Sequence, residues 1–459
     1  MARFVKRVGL GTLGLLLGFG APRLAAQTWG VTASDPVGIA RSGAGVAFGQ
    51  SLEAASLNPA LLASIKEHAS FFLAMGQELQ VTQSTLQSNQ RVLFGDDRNR
   101  FLPSFGTSWR LNDKVVLGLK LDEPFMRHVQ MPLEATSRFQ GQSFDLRTNR
   151  LEAQGSWALS PHFSLGASLG VTRIRYAASN MVRIPVPALP GQPVADTTNP
   201  ALGLMELGLQ QEGTKVTPSY SLGFRWALNP RWTVGGTYVG AMSTTMPLTS
   251  GLTATPAAYY GVTGYGTAIP GTSTFGSALQ ALTSVQSGSG KLTLPGQATL
   301  GVRQRVNQIL TWEADLRYVQ GSSIAVPGYP TLTGPSGTVS GTGQGTQFNS
   351  GLGASLMGEL SLGKSWTMRM GLSQAHNIRQ ETDVDPMLGG ARNFTFSGGF
   401  GYRIYGGELN FGYQFRQSQD VDTKNLDHVW SQSGPRLTGA TTRIEGMGHL
   451  WSVGFKKAF

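Results

Sequence analysis

The chain has 459 residues, a length that suits two or three soluble domains or one large β-barrel, and only 14% of them are charged, well below the quarter typical of soluble domains. A mean hydropathy of −0.10 excludes a polytopic helical membrane protein, and the lack of any cysteine excludes a disulfide framework and a thiolate metal site. The net charge of +11 comes from Lys and Arg spread along the chain with no basic helix or cluster, which argues against nucleic acid as a partner.

Residues 1–26 have the layout of a secretory signal peptide. A basic start (Arg3, Lys6, Arg7) is followed by an apolar stretch from Val8 to Ala21 that is too short to span a bilayer comfortably, then by Ala25 and Ala26 before Gln27. Residues 27–64 do not alternate. They hold short Ala-rich pieces interrupted by Gly43, Gly45 and Pro59. A barrel wider than eight strands needs a filler or is an open pore, so a compact hatch inside the lumen is expected here, followed by a barrel over residues 65–459.

From residue 65 onward a period of two dominates. The stretch "SYSLGFRWAL" puts Tyr220, Leu222, Phe224 and Trp226 on one face and Gly223 and Arg225 on the other; "TWEADLRY" and "LNFGYQF" behave alike. Six short links join strands pairwise, at 112–114, 160–162, 229–231, 307–309, 363–365 and Gly406-Gly407, the last pairing Ile404 with Leu409. With one strand around Ile65 to Met75 and a last one from about Gly446 to Phe459, the total is fourteen, an even number. Seven long connections remain, at about 76–102, 123–145, 177–214, 243–291, 320–347, 374–391 and 418–445. The reading is an all-β protein: a 14-stranded antiparallel transmembrane β-barrel with short turns on the periplasmic side and long loops outside. The closing stretch "LWSVGFKKAF" puts Trp451, Val453, Phe455 and Phe459 on one parity as a C-terminal barrel signal, with the last strand pairing to the first.

The stretch "GIARSGAGVAFGQSLEAASLNPALL" resembles the N-terminal hatch of the FadL/TodX family of outer-membrane transporters for hydrophobic compounds. The matching positions are Gly43, Gly45, Asn58, Pro59, Ala60 and Leu61. The likeness extends to "LTLPGQATLGVRQRVNQILTWEADLRYVQG" and to the closing decapeptide. Two departures stand out: of the paired acidic residues frequent in that hatch only Glu53 matches, and "DVDPMLGGARNFTF" replaces an acidic, Trp-containing stretch. The resemblance implies passive uptake of long-chain fatty acids or hydrocarbons, gated by the hatch, with lateral exit through a kinked strand. Pro124 is the candidate kink, since proline cannot donate to a ladder; the plainer reading is that it begins a loop.

By parity Lys120, Arg225, Arg317 and Arg369 face the lumen and are candidates to hold a ligand carboxylate, while Arg303 and Glu313 are expected to form an ion pair across their hairpin. For any one cation the competing role is a salt bridge between wall and hatch. No histidine pair has metal-ligand spacing and no Gly-x-Ser-x-Gly lies on a strand-to-helix turn, so neither a metal, a cofactor nor an enzymatic activity is expected. The expected partners are a hydrophobic small molecule, outer-membrane lipid and lipopolysaccharide, and the barrel-assembly machinery during biogenesis, with the chain a monomer. The alternatives are a non-transporting barrel that docks secreted proteins and a general porin.

Overall fold

A computed structural model describes residues 33–48, 52–86, 91–94, 100–131, 141–185, 204–254, 286–325, 332–334, 337–339, 345–375, 393–418, 421–427 and 436–459. The signal peptide expected at 1–26 and the first residues of the expected hatch lie outside them.

Fourteen antiparallel strands form one closed sheet. They are β1 (Ala69–Leu86), β2 (Arg100–Arg110), β3 (Val115–Asp122, resuming as Met126–Gln130), β4 (Ser143–Ala158), β5 (Phe163–Pro185), β6 (Leu204–Ala227) and β7 (Trp232–Val239, resuming as Met242–Ala254). Then follow β8 (Gln286–Leu294, resuming as Gln297–Arg305), β9 (Leu310–Val319, then Ser322–Ala325), β10 (Gly345–Phe348, then Gly351–Leu362), β11 (Trp366–Ala375), β12 (Asn393–Ile404), β13 (Gly407–Ser418) and β14 (Arg436–Ala458). Closure is by β14 on β1, from Ser70↔Ala458 to Leu86↔Thr442. Phe459 adds to it: its N–H donates to Ala69 at 2.8 Å and its carbonyl accepts from His68 at 3.1 Å. The rings of Phe455 and Phe459 lie 6.3 and 6.1 Å from Phe71. Val453 pairs with Met75 and Trp451 with Gln77.

The outward parity is apolar and exposed, with Leu169 at 72% and Met370 at 66%. Such a face is stable against hydrocarbon and not against water. The short turns hold their register through one repeated device. The Oδ1 atoms of Asn112, Asn229 and Asn307 each accept from the N–H groups two and three residues on, at 2.7–2.9 Å, so a three-residue link closes without disturbing parity. The sixth link is one residue earlier than expected. Tyr405 (φ 50°) and Gly406 (φ 74°) form the two-residue turn, Ile404 pairs with Gly407, and Leu409 pairs with Tyr402. Two consecutive left-handed residues are what a type I′ hairpin requires.

The strands are longer than expected. β1 starts at Ala69 and continues to Leu86, β5 to Pro185 and β7 to Ala254, while β6 begins at Leu204 and β14 at Arg436. All of these run into segments expected as loops. Backbone pairing continues above the apolar band, where outward residues such as Gln210 and Glu212 are polar and no hydrophobic alternation marks the strand.

Candidate functional site

The lower half of the lumen is filled by the N-terminal segment: a short helix α1 (Pro36–Ala40), a single turn α2 (Leu52–Ala55) and a 3-10 helix (Pro59–Ser64). It packs backbone to backbone against the wall, because lumen-facing glycines leave it room. A Cβ at Gly166 would meet the backbone of Pro59 and Ala60, one at Gly223 the amide oxygen of Asn58, one at Gly235 the carbonyl of Val46, and one at Gly412 the carbonyl of Pro36.

The sequence-marked hatch residues sit at these contacts. Gly43 (φ 73°) and Gly45 (φ 141°) adopt backbone angles that residues with a Cβ rarely take. This turns the amides of Gly45, Val46 and Ala47 toward β9. Gly45 donates to Asp315 Oδ2 at 2.9 Å, Val46 to the same oxygen at 3.4 Å, and Ala47 to Glu313 Oε1 at 2.7 Å. Successive amides aimed at carboxylates make a small anion nest. Asn58 caps the 3-10 helix by accepting from Ala60 N–H at 3.0 Å, and its Nδ2 donates to Val46 (2.7 Å) and to Phe224 of β6 (2.9 Å). Pro59 opens that helix, where a missing N–H costs nothing. The Ala60 carbonyl accepts from Ser164 at 3.0 Å, and Leu61 is fully buried in a cluster with Leu52, Phe72 and Val116.

Three of the four candidate cations belong to this docking. Lys120 reaches Glu152 (3.2 Å), Asp122 (3.3 Å) and the Ser56 carbonyl (3.1 Å). Arg317 donates to the Gly43 carbonyl at 3.0 Å. Arg369 is engaged by Glu359 (2.9 Å), Asn410 (2.7 Å) and Glu408 (3.0 Å). Glu359 also holds Arg41 of the hatch at 2.6 Å, a hatch–wall pair the sequence analysis missed. Arg225 lies two residues from the end of β6, beside the periplasmic turn. Arg303 faces Glu313 in the register, but no ion pair joins them among the described residues. Its guanidinium lies 4.4 Å over the Phe48 ring, whose other contact is Arg41 at 4.0 Å, and the carboxylate is taken by Ala47. The expected ion pair is not formed: Arg303 lies over Phe48, and the Glu313 carboxyl accepts from the hatch through Oε1.

Above the hatch the lumen changes character. β7, β8, β9 and β10 all break at one level, at residues 240–241, 295–296, 320–321 and 349–350, and these breaks face one another in the register. Each break inverts the alternation. Below it Thr233, Thr299, Asp315 and Met357 are the buried parity; above it Met242, Leu292, Ser322 and Phe348 are. β3 inverts likewise across residues 123–125. The result is an apolar cluster buried in the lumen above the hatch that includes Phe125, Phe144, Ile174, Met242, Met246 and Leu294. None of the four candidate cations lines it. Lys215 does flank it: it shares the lumen parity of Thr217 and Ser219 on β6 and pairs with Ile174. Sequence parity alone already puts it on the inward face, at the first position after the expected loop 177–214, but does not single it out.

The break at Pro124 also opens the wall. Below it β3 pairs with both β2 and β4; beyond it Met126–Gln130 pairs with β4 alone, and Arg100–Ser104 of β2 pairs only with β1. Proline therefore interrupts a strand and does not begin a loop. Side chains span the gap instead of backbone. Arg147 of β4 donates to the Phe101 carbonyl of β2 at 3.0 Å and to Glu123 at 2.7 Å. Arg100 of β2 holds Asp145 with two bonds of 2.8 Å and lies 2.6 Å from His128 Nδ1.

Residues 22–459 match the family described as outer membrane protein transport protein (OMPP1/FadL/TodX). In fold, the chain is similar to a Pseudomonas aeruginosa FadL homologue (18% identity, 94% of this chain and 99% of that one, TM-score 0.73). It is also similar to the Pseudomonas putida toluene transporter TodX (14%, 93% and 99%, 0.62) and the Ralstonia pickettii toluene transporter TbuX (15%, 93% and 99%, 0.60). No curated protein matches the chain in sequence.

Proposed function

The chain belongs to the FadL/TodX family of outer membrane transport proteins, and from that premise we propose that it carries hydrophobic molecules, long-chain fatty acids or hydrocarbons, passively across the outer membrane. The apolar cluster above the hatch supports this reading above all: taken as the lining of a ligand chamber, its Met, Leu, Ile and Phe side chains over a docked hatch suit an apolar solute and not a sugar. Methionines suit varied ligand shapes, being flexible and polarizable. The docked hatch argues against a general porin, and an apolar interior gives a secreted protein nothing to dock on.

The ligand enters from the loop side, settles in the chamber, and leaves sideways where β3 breaks at Pro124, the Arg100–Asp145 and Arg147–Glu123 pairs acting as the latch of that gap. Lateral exit spares an apolar solute the aqueous periplasm, and movement of the hatch gates the passage. Lys215 is the cation placed to meet a carboxylate at the chamber wall.

Isothermal titration of the purified protein in detergent tests the reading. Lys215→Gln is expected to weaken binding of a C16 fatty acid about tenfold, the scale of one charge-assisted hydrogen bond, and to leave binding of hexadecane unchanged. Absence of binding of either molecule to the wild type overturns the reading. Equal losses for both molecules overturn the role of Lys215 alone.

A further inference from the structure

The wall has a second discontinuity, between β6 and β7. The two strands pair from Ser221↔Val239 to Ala227↔Thr233 below, and from Leu248↔Gly213 to Ala254↔Leu207 above. Between these ladders, residues 214–220 and 240–247 have no register partner across the seam. The cause is geometric. β7 inverts its alternation at Gly240-Ala241 and β6 does not, so the two ladders differ by one residue and the mismatch is absorbed between them. Each edge also carries a proline, Pro218 and Pro247, that cannot donate. At the lower corner the Gly240 N–H still donates to the Tyr220 carbonyl at 3.0 Å, and the Tyr220 ring lies across Gly240.

What lies on the two sides makes the seam more than an irregularity. On the lumen side, Ile174 and Tyr176 of β5 and Met242 and Met246 of β7 bring the apolar chamber to its edge. On the lipid side, directly below the seam, a furrow of about 540 Å³ runs over Gly236 between Leu165, Leu222, Phe224, Tyr238, Leu300 and Tyr318. The furrow forms because Gly236 has no side chain to fill it, and the Phe224 ring leans into the space that a Cβ would take. Interrupted pairing at membrane depth is tolerated where it lines a cavity, not where it faces lipid tails unrelieved. The outward residues on the seam's own two edges, Val216, Pro218, Thr245 and Pro247, are uncharged, and the outward cations of the flanking strands, Arg173 beside Val216 and Lys291 beside Thr245, are not bridged across it as the Arg and Asp residues of the β3 gap are.

We propose that the β6–β7 seam is a second lateral exit and that the furrow beneath it is the exterior site where the leaving hydrocarbon chain first lies. This rests on the transport reading above. An apolar chain passing between Val216 and Thr245 exchanges the methionine-lined chamber for the leucine-lined furrow past single cations, Lys215 inside and Arg173 and Lys291 outside, with no ion pair among the described residues to break. The β3 gap, latched by ion pairs, then suits a ligand that brings a polar head. The furrow's occupant is the transported chain; a bilayer lipid is the competing occupant.

A disulfide lock tests this in the full chain, which has no native cysteine to interfere. Val216→Cys with Thr245→Cys puts one thiol on each edge of the seam, at the positions that the register of the upper ladder, extended downward, would bring opposite. Cells lacking their own uptake protein and expressing the variant are given radiolabelled hexadecane, oxidised or reduced. Crosslinking is scored by mass spectrometry, and a diazirine-bearing alkane maps the furrow. Uptake is expected to fall at least fivefold on oxidation and to return on reduction, with furrow labelling falling in parallel. Undiminished uptake in the fully oxidised variant overturns the inference and leaves the transport reading standing. Furrow labelling that persists together with that uptake assigns the furrow to bilayer lipid. A wild type that takes up no hexadecane overturns both.

Discussion

At the residue scale, Asp35 is the informative carboxylate. It is buried, caps α1 by accepting from Gly38 N–H at 2.7 Å, and belongs to the hatch, not to the wall. Burial pushes its pKa up from 3.8 to about 6, repulsion from Glu53 adds to this, and the Gly38 bond and Arg41 oppose it. A raised carboxylate means the folded hatch holds its proton more tightly than the free chain does. The stabilisation is complete below pH 3.8 and is lost as pH rises through 6. By about 1.4 kcal/mol per unit, the effect is on the order of 3 kcal/mol. The protection factors of the amides of residues 38–42, with the intrinsic pH dependence of exchange divided out, should be higher at pH 4.5 than at pH 7.5. Asp35→Asn keeps the capping oxygen and removes the charge, so its exchange protection should not vary across that window; a variant that keeps the wild-type dependence refutes the assignment. The side chains that hold the hatch were only partly legible beforehand. Parity put Lys120, Arg317 and Arg369 inside, and they are inside. The Ser56 and Gly43 carbonyls that Lys120 and Arg317 reach come from segments far apart in sequence, and no spacing rule reaches that far; Glu359 faces Arg369 across one hairpin and was open to the same reading as Arg303 and Glu313.

At the element scale, lumen-facing glycines decide where the hatch can lie. Gly223 of β6 stands against the Asn58 amide and Pro59. Gly223→Val should therefore drive the 3-10 helix out of its seat, breaking the Asn58 bonds to Phe224 and Val46, while Tyr220, Leu222 and Phe224 still face lipid. In a planar bilayer the variant should show a large, stable ion conductance absent from the wild type. Wild-type conductance together with an unaltered hatch would mean that the helix yields without undocking. The glycine pattern was visible in the sequence as an inward face mixing glycine with charge. Its purpose was not, because only the seated hatch shows which backbone each glycine admits. The parity of "SYSLGFRWAL" and "TWEADLRY" was equally plain, since both lie below the breaks. The chamber stayed hidden because Met242, Leu294 and Phe348 follow a two-residue interruption that turns the alternation over, and a reader following one period through it loses the strand.

At the scale of the whole molecule, the barrel is not uniformly closed. The β14–β1 junction, where the chain's two ends meet, is paired without interruption from Ser70 to Leu86. A junction between sequence-distant strands is the weak line of a barrel only if its ladder is short, and this one is among the long ones. The weak lines lie beside strands that invert their parity against a neighbour that does not, β2 against β3 above Phe105 and β6 against β7 between Gly213 and Ser221, whereas β4, which does not invert either, recovers its pairing with β3 from Met126 onward. β7 through β10 invert together, so their mutual ladders stay in step and need no seam. Local opening follows the pattern of missing backbone pairs. Hydrogen exchange of the protein in nanodiscs should therefore rank the wall by parity mismatch and not by position in the chain. Amides of residues 71–79, on β1, should be the slowest, those of 297–305, paired on both sides within a stretch that inverts as a unit, nearly as slow, and those of 214–220 and 240–247 faster by at least two orders of magnitude. Exchange along 214–220 as slow as along 71–79 would show that the mismatch is healed by contacts outside the ladder, and the wall would then be continuous at that point.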